Sequence, residues 1–394
     1  MVEEIARLAR AAGRLAIDTE FMSERRYQAM LCLAQVAVPD PGAPDGVRTE
    51  VLDPLAHDPP DPAPLAATLA DPAVEVIVHA GRQDVAILRR TWDTGVTDVF
   101  DTQVAAGFVG LGTQESYKTL VRRVLGVELP GGEAYTNWDR RPLTDQQVEY
   151  ARADAAHLLA LGGALQERLR EAGRLEWARE ESRALEQASD ARDLDEAYRK
   201  LPKVDRLRGK ARAVARELVD WRDAAARESD RSVNSILADH VLVELARRRP
   251  DSRDQLAEIR GLPEATLHRR HRDLLAAIAR GLEREPPPTA GSAPPPDPRG
   301  APAVALASAL VRQRSLESGV AVQLIATQPE LTRLVDDVRR GRLPADGPAS
   351  GGGASPTRVL TGWRRELVGA ELLDLLAGRL SLALEGGDLA VGRA

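Results

Sequence analysis

Cysteine, aromatic residues and long apolar runs are all scarce in this sequence of 394 residues. The single cysteine, Cys32, excludes an internal disulfide, which fits a reducing compartment, and its apolar neighbours predict a buried core residue. Aromatic residues make up only 3% of the chain, so aliphatic side chains must fill most of the core. No apolar run approaches the roughly 20 residues of a membrane span, and the N-terminus does not resemble a signal peptide. We expect a soluble, cytoplasmic protein without a membrane partner.

The net charge of −6 excludes a uniformly basic surface that would attract nucleic acid by its overall charge. A local basic patch is still compatible with this net charge. A chain of this length predicts two or three domains.

The pattern of apolar residues changes near residue 165. Before that point strands and helices alternate, as in an α/β sheet, and a capping box of Thr144 and Gln147 starts the last of these helices. The predicted strands cover residues 15–19, 31–38 and 74–79, and the predicted helices cover 84–91, 117–125 and 144–161. After residue 165 only helical patterns are apparent, interrupted by two stretches rich in Pro, Gly, Ser and Ala, 285–302 and 343–356.

Two acids, Asp18 and Glu20, interrupt the apolar run of the first strand. Residues two apart in a strand project from the same face. Two neighbouring carboxylates repel each other, and a divalent cation with oxygen ligands would relieve this repulsion. Alternatively, the strand ends at the surface, where water solvates both acids.

Further acids follow at two other places. Asp84 comes after a strand that ends at His79, and ligands bind at such strand ends in open α/β sheets. Taken alone, this segment favours a helix N-cap role for Asp84. Tyr150 and Asp154 are four residues apart and share one helix face. Taken singly, Asp154 is better explained as a solvated helix residue and Tyr150 as a half-buried packing residue.

Together these motifs resemble the DEDD superfamily of 3′→5′ exonucleases in its tyrosine-bearing branch, and more closely ribonuclease D. The resemblance rests on IDTEF (17–21), HAGRQD (79–84) and YARAD (150–154), and on the connecting text of 99–112, 116–130 and 136–154. It implies an α/β ribonuclease H-like exonuclease domain, with a mixed sheet flanked by helices, followed by two small all-α HRDC-type domains.

The resemblance also implies the chemistry. Asp18, Glu20, Asp84 and Asp154 would hold two divalent metal ions, Mg²⁺ or Mn²⁺, which clamp the attacking and leaving oxygens of a phosphodiester. Tyr150 would orient the attacking water. The products would be nucleoside 5′-monophosphates from RNA 3′ ends, with tRNA precursors as the expected substrates and no obligatory protein partner.

Substrate contacts are less sharply defined. The resemblance places Thr19, Phe21, Met22, His79 and Gln83 beside the terminal nucleotides, but Phe21 could instead belong to the core. A structural role is favoured for Asp101. Trp138, Arg140 and Arg141 either contact substrate or pack at the helix entry.

The helical part resembles HRDC domains around Trp221-Arg222, Asp239 and the segment 247–263, with Ser252 as a helix N-cap and Gly261 as a helix stop. Arg247–Arg249 and 269–272 could form a phosphate-binding surface or an ordinary solvated face. The predicted organisation is an exonuclease domain at 1–170, a helical connection at 171–205, an HRDC domain at 206–284, a Pro-rich linker at 285–302, and a second HRDC-like domain at 303–394 with a flexible loop at 343–357.

The favoured function is therefore a metal-dependent 3′→5′ exoribonuclease. A DNA exonuclease is the first alternative, because the same acid set serves both nucleic acids: the reaction takes place at phosphorus and does not use the 2′-hydroxyl. A binding scaffold with an inactive nuclease fold is the second.

Overall fold

The computed structural model describes residues 1–129, 137–288, 297–343 and 357–393. Most of the predicted flexible loop at 343–357 (residues 344–356) and the middle of the predicted linker at 285–302 (residues 289–296) lie outside the described residues. Within the described ranges, no helix is long and apolar enough to cross a membrane.

A five-stranded mixed sheet forms the centre of the N-terminal part. Its strands run in the spatial order β3-β2-β1-β4-β5. β1 pairs antiparallel with β2 and parallel with β4, so the acids of β1 lie in the middle of the sheet. The strands are β1 Arg14–Met22, β2 Met30–Pro39, β3 Val47–Leu52, β4 Glu75–Val78 and β5 Val99–Asp101. The predicted mixed sheet flanked by helices is confirmed.

Helices cover both faces of the sheet and form most of the rest of the described chain. The N-terminal part contains α1 Val2–Ala12, α2 Ala63–Leu69, α3 Arg82–Thr91, α4 Thr102–Phe108, α5 Tyr117–Leu125, α6 Asp145–Ala156, α7 Leu158–Glu171 and α8 Leu175–Glu186. The middle part contains α9 Leu194–Arg199, α10 Lys210–Glu228, α11 Val233–Ile236, α12 Asp239–Arg248, α13 Arg253–Ala257 and α14 Glu264–Glu283. The C-terminal part contains α15 Ala301–Ser318, α16 Val322–Ile325, α17 Gln328–Arg339, α18 Gly362–Arg364 and α19 Ala370–Leu376, followed by β6 Leu380–Glu385 and β7 Asp388–Arg393.

Two sequence-based expectations are wrong in detail. The single helix predicted over 144–161 is two helices that meet at His157, and neither proline nor glycine marks this junction. The C-terminal part is not all-α, because β6 and β7 form an antiparallel hairpin. The sequence features that indicate this hairpin are the alternation of leucine with other residues in Leu380–Glu385 and the turn at Gly386-Gly387. Both glycines have positive φ.

The middle part has its own hydrophobic core, built around α10, α12 and α14. Inside it, the almost fully buried Arg222 donates to Asp239 at 2.6 Å, so the residues that suggested an HRDC domain form an ion pair. Ser252 caps α13 as predicted. The helix ends at Ala257, before Gly261, which lies in the turn to α14.

Among the described residues, the C-terminal part does not have a separate core. Its helices α15, α17 and α19 contribute to the same cluster of buried residues as α4, α7 and one face of the sheet. The face of the sheet that carries Asp18 is thus buried beneath α6 and α7, and the C-terminal helices extend that layer.

Candidate active site

The register of the central strands places Asp18 and Glu20 on one face of the sheet. Asp18 pairs with Gln35 of β2 and Glu20 pairs with Leu33. The regular register ends immediately after Glu20, because Phe21 pairs with Leu31. A bulge of this kind turns the chain beyond it and is typical of strands beside functional sites. Both acids are half-buried, so the solvated strand end, the alternative from sequence, does not describe them.

Asp84 reaches the same region from a tightly held turn. The carboxylate of Asp101 accepts hydrogen bonds from the backbone N–H groups of Ala80 and Gly81, at 3.1 and 2.9 Å. A Cβ on Gly81 would lie 2.5 Å from Val78, so only glycine fits the turn. Asp101 also caps α4, which confirms its predicted structural role.

Asp84 is not a helix N-cap, since Gly81 occupies that position in α3. Its buried carboxylate lies in the first turn of the helix, where the helix dipole favours a negative charge. The Thr19 hydroxyl donates to this carboxylate, which connects β1 with α3. This hydrogen bond uses the Thr19 side chain that was predicted to touch substrate.

The third element is α6, which begins with the predicted capping box of Thr144 and Gln147. Tyr150 and Asp154 are half-buried on one face of this helix. The Tyr150 ring stacks on Trp138 with centroids 6.2 Å apart. Because Trp138 is buried, this contact fixes the direction of the tyrosine ring, and Trp138 takes the packing role that sequence left open.

The acids strongly perturb one another. Burial, reinforced by the charges of Asp84, Asp154 and Glu20, raises the pKa of Asp18 well above its usual range. Burial together with the charges of Asp154 and Asp84 raises the pKa of Glu20 to about 8. The four carboxyl groups therefore form one electrostatic cluster that opposes its own ionisation.

At the two remaining acids, Asp84 and Asp154, a hydrogen bond from a neighbouring hydroxyl offsets part of the pKa increase that burial causes. Burial raises the pKa of Asp84 to about 6, although the hydrogen bond from Thr19 acts in the opposite direction. Burial also raises the pKa of Asp154 to about 6, and the Tyr150 hydroxyl counteracts it. The pKa of Tyr150 is raised in turn by burial and by the negative charge of Asp154, so the phenol stays protonated.

Four carboxylates that resist ionisation together fit hard divalent cations, because such ions take oxygen ligands and supply the missing positive charge. Within the described ranges, no three Asp, Glu, His or Cys side chains are yet close enough to hold an ion between them.

A cavity of about 260 Å³ opens beside the cluster. Asp18, Tyr150 and Asp154 line it together with His79, whose Nδ1 lies 3.0 Å from the Thr102 hydroxyl.

Sequence reasoning missed Tyr117, which also lines this cavity and packs its ring 5.7 Å from that of His79. Its hydroxyl is buried near the backbone of His157 without a hydrogen bond of good geometry among the described residues. Burial and the charges of Asp154 and Asp18 raise its pKa. The sequence feature that could have drawn attention to Tyr117 is its position at the start of α5, directly after the N-cap Ser116.

The remaining predicted contact residues lie at different distances from the cluster. Met22 packs in the same small hydrophobic group as Tyr150. Phe21 packs against the core on the opposite face of the sheet, which favours its structural alternative. Gln83 is exposed on α3. Arg141 pairs with Asp53 at 2.5 Å and is held in a structural position.

Comparisons with known proteins agree with this geometry. A family model described as 3'-5' exonuclease matches residues 1–170, and a model of the HRDC domain matches residues 211–278. The class that the fold and the acid cluster define is accordingly a 3′→5′ exonuclease with an appended HRDC domain.

Relatives cover nearly the whole chain. The ribonuclease D of Granulibacter bethesdensis is 34% identical over 98% of this chain and 94% of its own length. That of Jannaschia sp. is 36% identical over 98% of this chain and 96% of its own length. The crystal structure of Escherichia coli RNase D superposes with a TM-score of 0.78 at 26% identity, covering 95% of this chain and 96% of the other. The chain belongs to the ribonuclease D family of 3′→5′ exoribonucleases.

Proposed function

We propose that the acid cluster is the hydrolytic centre and that it works with two divalent cations, Mg²⁺ or Mn²⁺, held by Asp18, Glu20, Asp84 and Asp154. The observation that supports this most directly is the convergence of four acids from β1, α3 and α6, each with its pKa raised by burial. When bound, the cations neutralise this charge and polarise the phosphodiester for in-line attack.

The residues of the chain have separate tasks in this proposal. The Thr19 hydroxyl and the turn held by Asp101 keep Asp84 in place on α3. Tyr150 remains a neutral phenol, so its hydroxyl can hold the attacking water by a hydrogen bond. Its ring direction is set by the stack on Trp138.

The cavity beside the cluster is the proposed place of the terminal nucleotide. His79 lines it, and Met22 packs beside Tyr150 near the same acids. Thr19 and Gln83 remain predicted substrate contacts, and the Thr19 hydroxyl also holds Asp84. The packing of Phe21 on the opposite face of the sheet favours a structural role for that residue. The products are nucleoside 5′-monophosphates released one at a time.

We propose structured RNA 3′ ends, such as those of tRNA precursors, as the substrate. The support is the family relationship, together with the E. coli relative, which is described as an exoribonuclease involved in structured RNA processing. The middle part has its own core and exposes Arg269 and Arg272 on α14. These two arginines are the proposed contacts of the HRDC domain with phosphates, whereas Arg270 is paired with Glu228.

A direct assay separates the possible activities. Single-stranded RNA and DNA of the same sequence, labelled at the 3′ end, are incubated with the protein and Mg²⁺, Mn²⁺ or EDTA. Release of labelled mononucleotide from RNA only, and only with a metal, supports the proposal. Equal release from DNA favours a general exonuclease, and binding without release favours a scaffold.

A further inference from the structure

Gln35 of β2 is a buried polar residue that the described protein does not satisfy. The residue is 0% exposed, and neither its Oε1 nor its Nε2 atom has a hydrogen-bond partner among the described residues. Another buried glutamine shows the contrast: Gln166 donates to Glu75 at 2.7 Å and accepts from Arg14 at 3.4 Å. A buried carboxamide without partners lowers stability, so an aliphatic side chain of the same shape would suit a purely structural role better.

The position of Gln35 relates it to the acid cluster. It is the direct antiparallel partner of Asp18, and opposite residues in such a pair project from the same face with Cβ atoms about 4.5–5.5 Å apart. Helix α6, which carries Asp154, packs over β2 and β3 through its buried residues Ala151 and Ala155. The carboxamide is therefore enclosed between the strand that bears one acid and the helix that bears another.

The chemistry of the two groups is complementary. A carboxamide nitrogen has two hydrogens to donate, while an ionised carboxylate only accepts. Asp84 and Asp154 each have a hydroxyl beside them, from Thr19 and Tyr150. Asp18 is surrounded by the charges of the other three acids, and no hydroxyl of the described residues donates to it in the same way.

We propose that Gln35 is a positioning residue: its Nε2 donates to the carboxylate of Asp18, its cross-strand partner, in the cation-bound site. This hydrogen bond fixes the direction of the carboxylate oxygens, as outer partners of metal ligands commonly do. The inference rests on the proposed function, because it assumes that Asp18 is a cation ligand.

The test compares Gln35→Met with wild-type protein and with Gln166→Met. Methionine has a similar length and is apolar, so Gln35→Met removes the donor and keeps the packing. Binding of Mn²⁺ is measured by calorimetry on the full chain, and thermal unfolding is measured without metal. Gln35→Met should weaken Mn²⁺ binding by about tenfold or more while its metal-free unfolding temperature stays the same or rises. Gln166→Met should unfold at lower temperature with unchanged Mn²⁺ affinity.

Kinetics provide a second measurement. With a 3′-labelled RNA, Gln35→Met should lower kcat at fixed Mn²⁺ with little change in KM, because the RNA does not touch the enclosed carboxamide. In wild-type protein labelled with ¹⁵N-glutamine, the Gln35 side-chain amide resonance should shift when Mg²⁺ is added. This measurement needs no variant, so it tests the proposal even if Gln35→Met does not fold.

The outcomes distinguish the two proposals. Wild-type protein that binds no Mn²⁺ and releases no nucleotide contradicts the proposed function. The same result also contradicts the proposed role of Gln35, because that role requires a cation at Asp18. Wild-type protein that binds Mn²⁺, with Gln35→Met binding it equally well or with the Gln35 resonance unmoved by Mg²⁺, overturns the inference about Gln35 alone.

Discussion

Trp363 of the C-terminal part stacks on Trp177 of α8, with ring centroids 5.6 Å apart and planes at 22°. The edge of the same tryptophan meets the ring of Phe108 in α4, with centroids 4.8 Å apart. Next to it, Arg364 donates to Glu181 of α8 at 2.6 Å. The C-terminal part therefore completes the core of the exonuclease domain.

Replacement of Trp363 by alanine should destabilise the exonuclease domain as well as the C-terminal part. The side chain is 1% exposed, and losing a buried tryptophan typically costs about 3–5 kcal/mol of unfolding free energy. Urea unfolding measures the change. Leu316→Ala is the control, because Leu316 is 81% exposed in the same part of the chain. Equal stability of the two variants would show that the shared core contributes little.

The stability of the metal-free protein should fall as the pH rises from about 5 to 8. Glu20, with its pKa raised to about 8, keeps its proton in the folded state over a range where the unfolded chain has lost it. Asp84 and Asp154 behave likewise up to about pH 6. The folded state then binds more protons than the unfolded state, so raising the pH favours unfolding.

Thermal unfolding from pH 5 to 8, with and without Mn²⁺, checks this dependence. Saturating Mn²⁺ should flatten the decline, because the cations replace the protons as partners of the carboxylates. Glu20→Gln should flatten it in the absence of metal. A metal-free protein whose unfolding temperature rises steadily over this range would contradict the electrostatic description of the cluster.

Asp18→Asn should raise the stability of the metal-free protein near pH 8 while abolishing catalysis. An amide of the same shape needs no proton and adds no charge to the cluster, and removing a perturbation of one to two pKa units is worth about 1–3 kcal/mol. The measurements are urea unfolding without metal and nucleotide release with Mn²⁺. A variant that is destabilised, or that remains active, argues against a shared cation site at Asp18.

Tyr150→Phe should lower kcat while leaving the fold and the affinity for Mn²⁺ nearly unchanged. The ring and its stack on Trp138 remain, and only the hydroxyl that would hold the attacking water is lost. Loss of a group that orients or activates a reactant typically costs about 10²–10⁴-fold in rate. Single-turnover release of the 3′ nucleotide measures the step. Tyr198→Phe, in the core of the middle part, serves as the matched control and should be fully active.

The sequence was most informative where local pattern and chemistry coincide. The acids of β1 stand out because carboxylates rarely interrupt a buried strand, and the start of α6 is recognisable from its capping box. β5 was missed because a strand of three residues carries little periodic signal. The alternation in Leu380–Glu385 was missed because it directly follows a helical pattern and was included in it.

The supporting residues were harder to predict. Trp363 lies far along the chain from Phe108 and Trp177, and no sequence pattern shows that they form one core. The roles of Thr19, Gln35 and Tyr117 depend on the residues that they contact or face in the folded protein. Cross-strand register and helix packing set these relationships, and a single sequence does not reveal either one.

The most direct test of the account is nucleotide release from 3′-labelled RNA by Asp154→Asn and by Glu149→Gln, compared in Mn²⁺. Both substitutions remove one charge from α6, but Glu149 is exposed whereas Asp154 faces the other acids. The account predicts wild-type release by Glu149→Gln and none by Asp154→Asn, with both proteins folded. Undiminished release by folded Asp154→Asn would contradict the assignment of the acid cluster as the hydrolytic centre.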